Sequence, residues 1–391
     1  MKIDHVVLRD PADIRANLLP VTYTRPISEL RIGIITIREK WQRRLSAEYS
    51  WITADYLQEK FPPAKTSGRV LTINANILPT NALIAELNAI PHTDARLIHK
   101  GIEIGNISTG TQATPVDVDI TSDFPVINWV YDIFMKNSDA IEWDFALMTA
   151  GRQSAAPDAS CRIIGDPARL FIEPGAQVTG AFINVTAGPV YIASTATVME
   201  GSCLRGPIAC CEHSQVNMGT KIYGATTIGN YCKVGGELNN VVMQGYSNKA
   251  HDGFLGNAVI GEWCNLGAGC VASNLKNDYT EIKLWNYPAH RFLRTGLQFC
   301  GLIMGDHSKA GINTMFNTAT VIGVGVNIHG TGFPRNFVAS FSEGSPSGYV
   351  DVSMPKFLDI ARRMMARRGI ELTEADIRMF DAIRHISDDY K

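Results

Sequence analysis

Large apolar residues recur every six positions through the middle of the chain, and this period constrains the fold more than any other feature. The series runs through Ile192, Val198 and Leu204; Val216, Ile222, Ile228 and Val234; Phe254, Ile260 and Leu266; and Phe316, Ile322 and Ile328. The residue four positions later is mostly small, as at Ala196, Ser202, Thr220, Thr226, Cys232, Cys264, Cys270 and Thr320. A period of six matches neither the roughly 3.6-residue repeat of a helix nor an ordinary hairpin. It predicts short strands that meet at corners, which is the hexapeptide pattern of a parallel β-helix.

Glycine is distributed unevenly and divides the chain into three parts. Of the 34 glycines, five lie in residues 1–150, 26 in residues 151–340 and three in the last 51 residues. The density in the middle indicates a backbone that turns tightly and often. We therefore expect an α/β domain over residues 1–160, the β-helix over residues 161–345 and C-terminal helices over residues 346–391.

The first 150 residues alternate between strand-like and helix-like stretches. Strands are expected at residues 5–8, 69–74 and 96–104, and helices over residues 28–45, 80–90 and 125–136. This alternation predicts an open, Rossmann-type α/β sheet. Near the other end, residues 355–386 predict two helices broken at Gly369, with Thr373 as the N-cap of the second.

Two stretches break the hexapeptide phase. Residues 235–253 slip in register, and residues 273–301 are too long and too aromatic for a corner. An interruption of a solenoid projects from one face, and that face is often where binding occurs.

The composition restricts the class of protein. The 36 Lys and Arg residues nearly balance the 38 Asp and Glu residues, and the formal net charge of −2 disfavours a nucleic-acid partner. No apolar run reaches the roughly 18 residues of a membrane span, and the start lacks the build of a signal peptide, so a cytoplasmic protein with no membrane partner is expected. The eight cysteines include no Cys-x-x-Cys pair and the histidines show no zinc-ligand spacing, so no metal site is predicted.

One stretch of the β-helix region carries a distinctive set of polar residues. His251 precedes Phe254-Leu-Gly, Asn265-Leu-Gly leads to Ala268-Gly, and Asn274 follows. This arrangement resembles the acetyltransferase half of the bifunctional family that combines glucosamine-1-phosphate acetyltransferase with N-acetylglucosamine-1-phosphate uridyltransferase, in an alternate, divergent branch. The resemblance implies a left-handed β-helix, acetyl-CoA as co-substrate and a homotrimer with the acyl site between neighbours.

Acetyl transfer to an amine requires a base, and a histidine, with an ordinary pKa of about 6.5, suits that role near pH 7. The resemblance assigns the base to His251, and it assigns the backbone N–H of Ala268 to the oxyanion of the attacked thioester. It assigns acceptor binding to Glu237, Phe254, Asn265 and Asn274. The chain departs from the family at Asn239, which aligns with a lysine, and at Phe254, which aligns with a tyrosine. An acceptor with a different phosphate position, or none, therefore remains open.

The segment from Leu19 to Gly33 is similar to the Leu-x-Pro-Leu-Thr-x-x-Arg-Pro segment of sugar nucleotidyltransferases. That resemblance implies an NTP and a sugar 1-phosphate as substrates, with Arg25, Arg31 and Arg38 against the nucleotide phosphates. The departures are the absence of a glycine-rich loop from residues 8–18, Ile27 in place of lysine, and Asn74-Ala-Asn76 in place of the Gly-Asp that holds Mg²⁺. Because an amide supplies no charge to a hard cation, Mg²⁺ would be needed only if this half is active.

These features predict a transferase of nucleotide-sugar biosynthesis, of the UDP-N-acetylglucosamine type. It would form an NDP-sugar from a sugar 1-phosphate and an NTP, and would N-acetylate a hexosamine 1-phosphate from acetyl-CoA. Two alternatives remain open: an acyltransferase with an inactive nucleotidyltransferase half, and a non-catalytic nucleotide-sugar-binding scaffold or regulator. The basic run Arg362, Arg363, Arg367 and Arg368 is explained most simply as a solvated helix face, with contact to coenzyme A phosphates as the alternative.

Overall fold

The computed structural model describes residues 2–91, 93–110 and 114–391. It divides into two compact units. The first consists of the residues up to Leu18 with Thr24–Leu30 and Ile35–Trp129, and the second of Leu19–Tyr23, Arg31–Ile34 and Val130–Lys391. The boundaries that the sequence places at residues 160 and 345 stay predictions.

The first unit is built on a six-stranded mixed sheet. Its strands are β1 (His5–Arg9), β2 (Glu48–Ile52), β3 (Val70–Asn74), β4 (Ala95–His99), β5 (Ile102–Ser108) and β6 (Val116–Asp119). Its helices are α1 (Ala12–Asn17), α2 (Ile37–Gln42) and α3 (Asn81–Ala89), with 3₁₀ turns at Ile27–Glu29 and Asp55–Leu57. The strand order is β2-β1-β3-β5-β4-β6; β1 pairs in parallel with β2 and β3, and β5 is antiparallel to β3 and β4. The expected α/β sheet is present, with a mixed rather than a parallel order.

The helix predicted over residues 28–45 is wrong over most of its length, because only α2 forms. Helix α2 begins after Thr36, whose hydroxyl accepts from the Glu39 N–H at 3.2 Å while the Glu39 carboxylate accepts from the Thr36 N–H at 2.7 Å. A continuous helix cannot pass through Gly33, which has a φ of 73°. Its amide instead donates to Asn137 Oδ1 at 2.7 Å, within the second unit.

The second unit contains helices α4 (Asp132–Met135) and α5 (Asn137–Thr149), followed by many short strands, so only the end of the helix predicted over residues 125–136 forms. The strands are β7 (Arg162–Ile164), β8 (Leu170–Ile172), β9 (Gln177–Val178), β10 (Phe182–Asn184), β11 (Val190–Ile192), β12 (Thr197–Val198), β13 (Cys203–Arg205), β14 (Ile208–Cys210), β15 (Gln215–Val216), β16 (Lys221–Tyr223), β17 (Thr226–Asn230), β18 (Lys233–Val234), β19 (Glu237–Gly245), β20 (Asn248–Lys249), β21 (Phe254–Glu262), β22 (Asn265–Leu266), β23 (Val271–Ala272), β24 (Lys283–Asn286), β25 (Arg291–Arg294), β26 (Ile303–Met304), β27 (Lys309–Ala310), β28 (Met315–Phe316), β29 (Val321–Ile322), β30 (Asn327–Ile328), β31 (Phe337–Val338), β32 (Ser342–Ser345) and β33 (Gly348–Asp351).

These strands stack in three columns and form a parallel β-solenoid. The first column starts with β7, β10, β13 and β16; the second starts with β8, β11, β14 and β17; the third runs through β9, β12, β15, β18, β20, β22, β27, β30 and β32. Strands β19 and β21 each turn a corner, so that their first halves lie in the first column and their second halves in the second. The first column then continues through β23 and β28, and the second through β26, β29 and β31.

The interior of the solenoid confirms the six-residue period. One apolar core contains Ile192, Val198, Leu204, Val216, Ile222, Ile228, Val234, Ile260, Leu266, Phe316, Ile322 and Ile328. All eight small partner residues are buried as well. Phe254 is the exception: Leu255 fills the inward position and Phe254 lies on the outer face. The inward residues Leu255 and Ile260 are five positions apart rather than six, in the strand that turns a corner, so the six-residue series through Ile260 falls on Phe254. A shift of one residue exchanges the two faces of a strand.

The remaining elements are an inserted hairpin and the C-terminal helices. The interruption at residues 273–301 carries the antiparallel pair β24–β25. Helices α6 (Met354–Ala366) and α7 (Glu374–Ser387) follow the solenoid, and a 3₁₀ turn at Asp388–Tyr390 follows α7. Another 3₁₀ turn, Pro167–Arg169, lies between β7 and β8. Gly369 has a φ of 68° between the two helices, and Thr373 forms a capping box with Asp376, as predicted. Among the described residues, no helix is long and apolar enough to cross a membrane.

Candidate functional site

The corner between the third and first columns presents His251. Strand β20 ends at Lys249 and β21 begins at Phe254, so His251 and Asp252 form the exposed tip of the turn. The turn packs against two glycines of the preceding coil, Gly235 and Gly236. A Cβ on Gly235 would lie 2.3 Å from the Ala250 carbonyl oxygen, and a Cβ on Gly236 would lie 2.7 Å from the Gly253 carbonyl oxygen, which leaves no room for another residue type at either position. The preceding coil therefore fixes the backbone that carries His251.

Lys249 holds the same turn from inside the solenoid. Its side chain is fully buried, and Nζ donates to the carbonyl oxygens of Gly235 at 3.3 Å and Asp252 at 3.2 Å, and to that of His251. Burial lowers the pKa of Lys249. Three acceptors match the three donors of an ammonium group. The sequence analysis missed this residue. Its inward position, beside Val234 on the neighbouring strand, depends on the register of the coils.

The turn of the next coil offers a free backbone donor. The Gly269 N–H donates to the Asp252 carbonyl oxygen at 3.1 Å, and the Asn313 N–H donates to the Ala268 carbonyl oxygen at 2.7 Å. No described residue accepts a hydrogen bond from the Ala268 N–H itself. The predicted oxyanion donor thus lies in the turn stacked directly on the one that carries His251.

Two of the predicted residues share a pocket. His251 and Asn265 line a pocket of about 240 Å³, together with Gly267 and two arginines of the chain after α6, Arg367 and Arg368. Asn265 belongs to the third column, on the side of the corner where the chain enters the His251 turn.

The other predicted acceptor residues lie on the first column, where the chain leaves that corner. Glu237 and Phe254 are register partners on its outer face. A Cβ on Gly256 would lie 2.6 Å from Phe254 Cζ and 2.7 Å from Asn274 Nδ2, so both side chains cover this glycine. Asn274 Nδ2 also donates to Asn257 Oδ1 at 2.8 Å. The structure therefore brings Glu237, Phe254 and Asn274 together and places Asn265 with His251.

The inserted segment extends this face. Beyond Asn274 it forms an open groove of about 1160 Å³, lined by Lys276 and Lys283 among others. Lys276 Nζ lies 3.5 Å from Asp278 Oδ2 and donates to the Thr280 hydroxyl, and the groove is lined by Asp278 and Glu281 as well.

The three arginines predicted to bind nucleotide do not form one cluster within a unit. Arg38 donates to both carboxylate oxygens of Glu29, at 2.7 and 3.0 Å, and Arg25 is buried. Arg31 belongs to the second unit, where its buried guanidinium lies 3.6 Å from Cys211 Sγ and its backbone N–H donates to Gln244 Oε1 at 2.7 Å. Their role in nucleotide binding stays a prediction.

The end of β3 does not fit a resident Mg²⁺ ion. Arg9 donates to Asn74 Oδ1 from Nε at 3.1 Å and from Nη2 at 2.8 Å. Asn76 Nδ2 donates to Asn128 Oδ1 at 2.9 Å. Among the described residues, no three His, Cys, Asp or Glu side chains are grouped to hold a metal. Mg²⁺ prefers carboxylate oxygens, whereas this position holds the positively charged guanidinium of Arg9 and the uncharged amides of Asn74 and Asn76.

Parts of the chain match known transferases. Residues 6–153 match the family model described as sugar nucleotidyl transferase. The chain is 24% identical over 168 residues to the bifunctional protein GlmU of Synechococcus elongatus, covering 41% of this chain and 33% of that protein. It is 26% identical over 155 residues to GlmU of Rippkaea orientalis, covering 39% and 27%. The chain spans about a third or less of the length of these curated relatives.

Further matches come from an archaeal protein and from solved structures. The bifunctional sugar-1-phosphate nucleotidylyltransferase/acetyltransferase of Sulfurisphaera tokodaii is 33% identical over 90 residues, covering 23% of this chain and 22% of that protein. The UDP-N-acetylglucosamine acyltransferase of Francisella novicida is 13% identical with a TM-score of 0.25, covering 61% of this chain and 78% of that chain. These sequence matches show that the chain is similar to GlmU proteins over part of its length, and that residues 6–153 resemble the sugar nucleotidyl transferase family.

Proposed function

We propose that the solenoid transfers an acetyl group from acetyl-CoA to the amine of a hexosamine 1-phosphate. The sugar nucleotidyl transferase segment would join the resulting sugar 1-phosphate to a nucleotide, as in UDP-N-acetylglucosamine formation. The observation that carries the proposal is the single corner that holds His251, the free Ala268 N–H and, on its two sides, Asn265 and the group Glu237, Phe254 and Asn274.

The chemistry follows from these positions. The acceptor amine attacks the thioester carbonyl carbon while the His251 imidazole takes the proton that the nitrogen loses. The carbonyl oxygen becomes an oxyanion, which the Ala268 N–H stabilises. When the oxyanion collapses, the carbon–sulfur bond breaks and the coenzyme A thiolate leaves, taking a proton from the imidazolium. Thiol, amide product and neutral histidine result.

The acceptor is proposed to lie along the first column. Glu237 and Asn274 offer polar groups to sugar hydroxyls, and the Phe254 ring offers an apolar face. The lysines of the adjoining groove, Lys276 and Lys283, supply the positive charge that a sugar phosphate requires. We further propose that the solenoid assembles as a homotrimer and acts in the cytoplasm.

The first unit is proposed to bind an NTP and a sugar 1-phosphate. Since the end of β3 does not fit a resident Mg²⁺, the metal would enter as part of the NTP substrate. The Arg9–Asn74 contact also favours the second candidate, in which this half binds a nucleotide sugar without turnover. In that case the chain would be an acyltransferase or a scaffold regulated by nucleotide sugar.

The test is product analysis with the full chain. We expect acetyl-CoA and glucosamine 1-phosphate to give coenzyme A and N-acetylglucosamine 1-phosphate in equal amounts, detected by mass spectrometry. UTP and Mg²⁺ added in a second step would then show whether UDP-N-acetylglucosamine forms. If no hexosamine phosphate is acetylated, the acetyltransferase proposal fails, and titration with UDP-sugars tests the scaffold.

A further inference from the structure

A groove runs from the His251 pocket along the third column to the end of helix α6. A second pocket of about 430 Å³ shares Asn248, Asn265, Arg367 and Arg368 with the pocket of His251. Asn248 and Asn265 are register partners, and Lys309 is the register partner of Asn265 on the next coil. The two pockets are therefore one continuous groove along neighbouring strands, with His251 at one end.

Positive charge extends along the groove. Arg367 and Arg368 line both pockets, and Lys309 and Arg363 line the pocket that lacks His251. Among the described residues that line the groove, none is acidic. Arg363 pairs with Asp359 at 2.7 Å on an exposed helix face. Arg368 Nη2 lies 3.4 Å from the Tyr231 carbonyl oxygen and 3.5 Å from Asn248 Oδ1, both long contacts. Most of this charge is not neutralised by carboxylates.

Helix α6 holds the arginines in place. Phe357, Ala361 and Met365 are buried at intervals of four, so one stripe of the helix packs inward. Arg363 and Arg367 also lie four residues apart, on a neighbouring stripe. Gly369, with a φ of 68°, stops the helix there, and cations are favoured near a helix C-terminus.

The wall of the groove is aromatic. Tyr246 and Trp263 stack with ring centroids 4.2 Å apart, and both line the groove beside Lys309. Their stack continues along the corner to Tyr231 and His307, with centroid distances of 5.0 and 6.0 Å. Because these rings stack on one another, they present their edges to the groove as an apolar wall for a planar base, while the arginines supply donors to phosphates.

We propose that this groove binds the adenosine 3′,5′-bisphosphate end of coenzyme A, so that helix α6 of the same chain completes the donor site. The inference rests on the proposed acetyl transfer for the identity of the donor. The thioester arm would extend along Asn248 and Asn265 toward His251. The basic run that the sequence explained most simply as a solvated helix face then has a function.

The test is equilibrium binding to the full chain by calorimetry, with adenosine 3′,5′-bisphosphate and coenzyme A as probes. The variant carries Arg363→Ala and Arg367→Ala, and the matched control is Arg362→Ala, an exposed arginine of the same helix that does not line the groove. We expect about a tenfold or greater rise in Kd for both probes in the double variant and no change in the control, because charge-assisted contacts to phosphate are lost.

Other outcomes separate this inference from the proposed function. Wild-type protein that binds neither probe, or a double variant that binds both as tightly as wild type, overturns the groove assignment. If acetyl transfer occurs, the double variant should show a raised KM for acetyl-CoA with kcat retained, and an unchanged KM contradicts the assignment alone. Binding of the bisphosphate without any acetyl transfer supports the groove while the proposed function fails.

Discussion

The buried ammonium group of Lys249 donates a hydrogen bond to the carbonyl oxygen of Asp252 at 3.2 Å. The same group reaches the carbonyl oxygens of Gly235 and His251, so one cation ties the turn of His251 to the coil below it. A catalytic base on a corner must keep its position while substrate binds. Lys249 is in this account a positioning residue for His251.

Replacing Lys249 with methionine should loosen this turn. The variant keeps the buried length of the side chain but leaves three carbonyl oxygens without their donor, at a cost of roughly 1–3 kcal/mol in the free energy of unfolding. Urea unfolding measures the loss, and kcat for acetyl transfer should fall as well. Lys221→Met, at an exposed position of the same solenoid, is the control and should change neither quantity. A Lys249→Met protein as stable and active as wild type would remove this role.

Replacing Asn76 with aspartate should destabilise the first unit. Asn76 is 6% exposed and donates from Nδ2 to Asn128 Oδ1, so a carboxylate there sets two oxygens against each other in a buried place. The expected loss at neutral pH is about 1–3 kcal/mol of unfolding free energy, from the unmade hydrogen bond and the buried charge. Acid should reduce the loss by protonating the carboxylate. Asn81→Asp, at the exposed first residue of α3, should be neutral by comparison.

The affinity for coenzyme A should decrease at alkaline pH. Burial lowers the pKa of Lys309 to about 8, so its ammonium is charged at pH 7 and largely neutral at pH 9.5. The arginines of the same pocket stay charged, and burial raises the pKa of the Tyr246 hydroxyl beside them. Burial also raises the pKa of the neighbouring Cys264 thiol to about 12. Loss of one cation beside phosphates should raise Kd about tenfold between these pH values. Lys309→Met should bind more weakly at pH 7 and show little of this pH dependence in the same titration.

Glu86 should contribute to stability at neutral pH and not in strong acid. Burial alone would raise its pKa, but hydrogen bonds from the backbone N–H groups of Thr121 and Ser122 and from the Thr121 hydroxyl hold the pKa at about 2. Because the folded pKa lies below the ordinary value of 4.5, the contribution is complete above pH 4.5 and disappears as the pH falls through 2.

Unfolding measurements between pH 2 and pH 6 test this pH dependence. The stability difference between wild type and Glu86→Gln should shrink over that interval, and the difference for Glu371→Gln, at an exposed position, should stay near zero. A difference for Glu86→Gln that is independent of pH would contradict the assignment of its hydrogen bonds.

The hexapeptide period predicted the solenoid because each short strand contributes one large inward residue, and that pattern is local in the sequence. Phe254 was placed inward because the inward residues Leu255 and Ile260 are five rather than six positions apart, and the sequence does not show where a step is shortened. The helix over residues 28–45 failed because Gly33 turns the chain away with a positive φ. The assignment of Arg31–Ile34 to the second unit depends on tertiary contacts, such as that of Arg31 with Gln244, for which no sequence spacing gives a signal.

The candidate site was predictable to the extent that it follows the chain. His251, Ala268 and Asn265 meet because successive coils stack, so residues one coil apart in sequence become neighbours. Arg367 and Arg368 lie about a hundred residues away, and only the packing of α6 brings them to the pocket of His251. The role of Lys249 could not be predicted, because it depends on three backbone carbonyl oxygens whose positions only the folded structure shows.

The proposed acetyl transfer depends on His251 as its base. The most direct measurement follows the release of coenzyme A thiol from acetyl-CoA with glucosamine 1-phosphate as acceptor, for wild type, His251→Ala and His329→Ala. His329 is an exposed histidine of the same solenoid and serves as the matched control. We expect His251→Ala to lose roughly a hundredfold or more in kcat and His329→Ala to retain it. Equal rates for wild type and His251→Ala, with both proteins folded, would rule out His251 as the base.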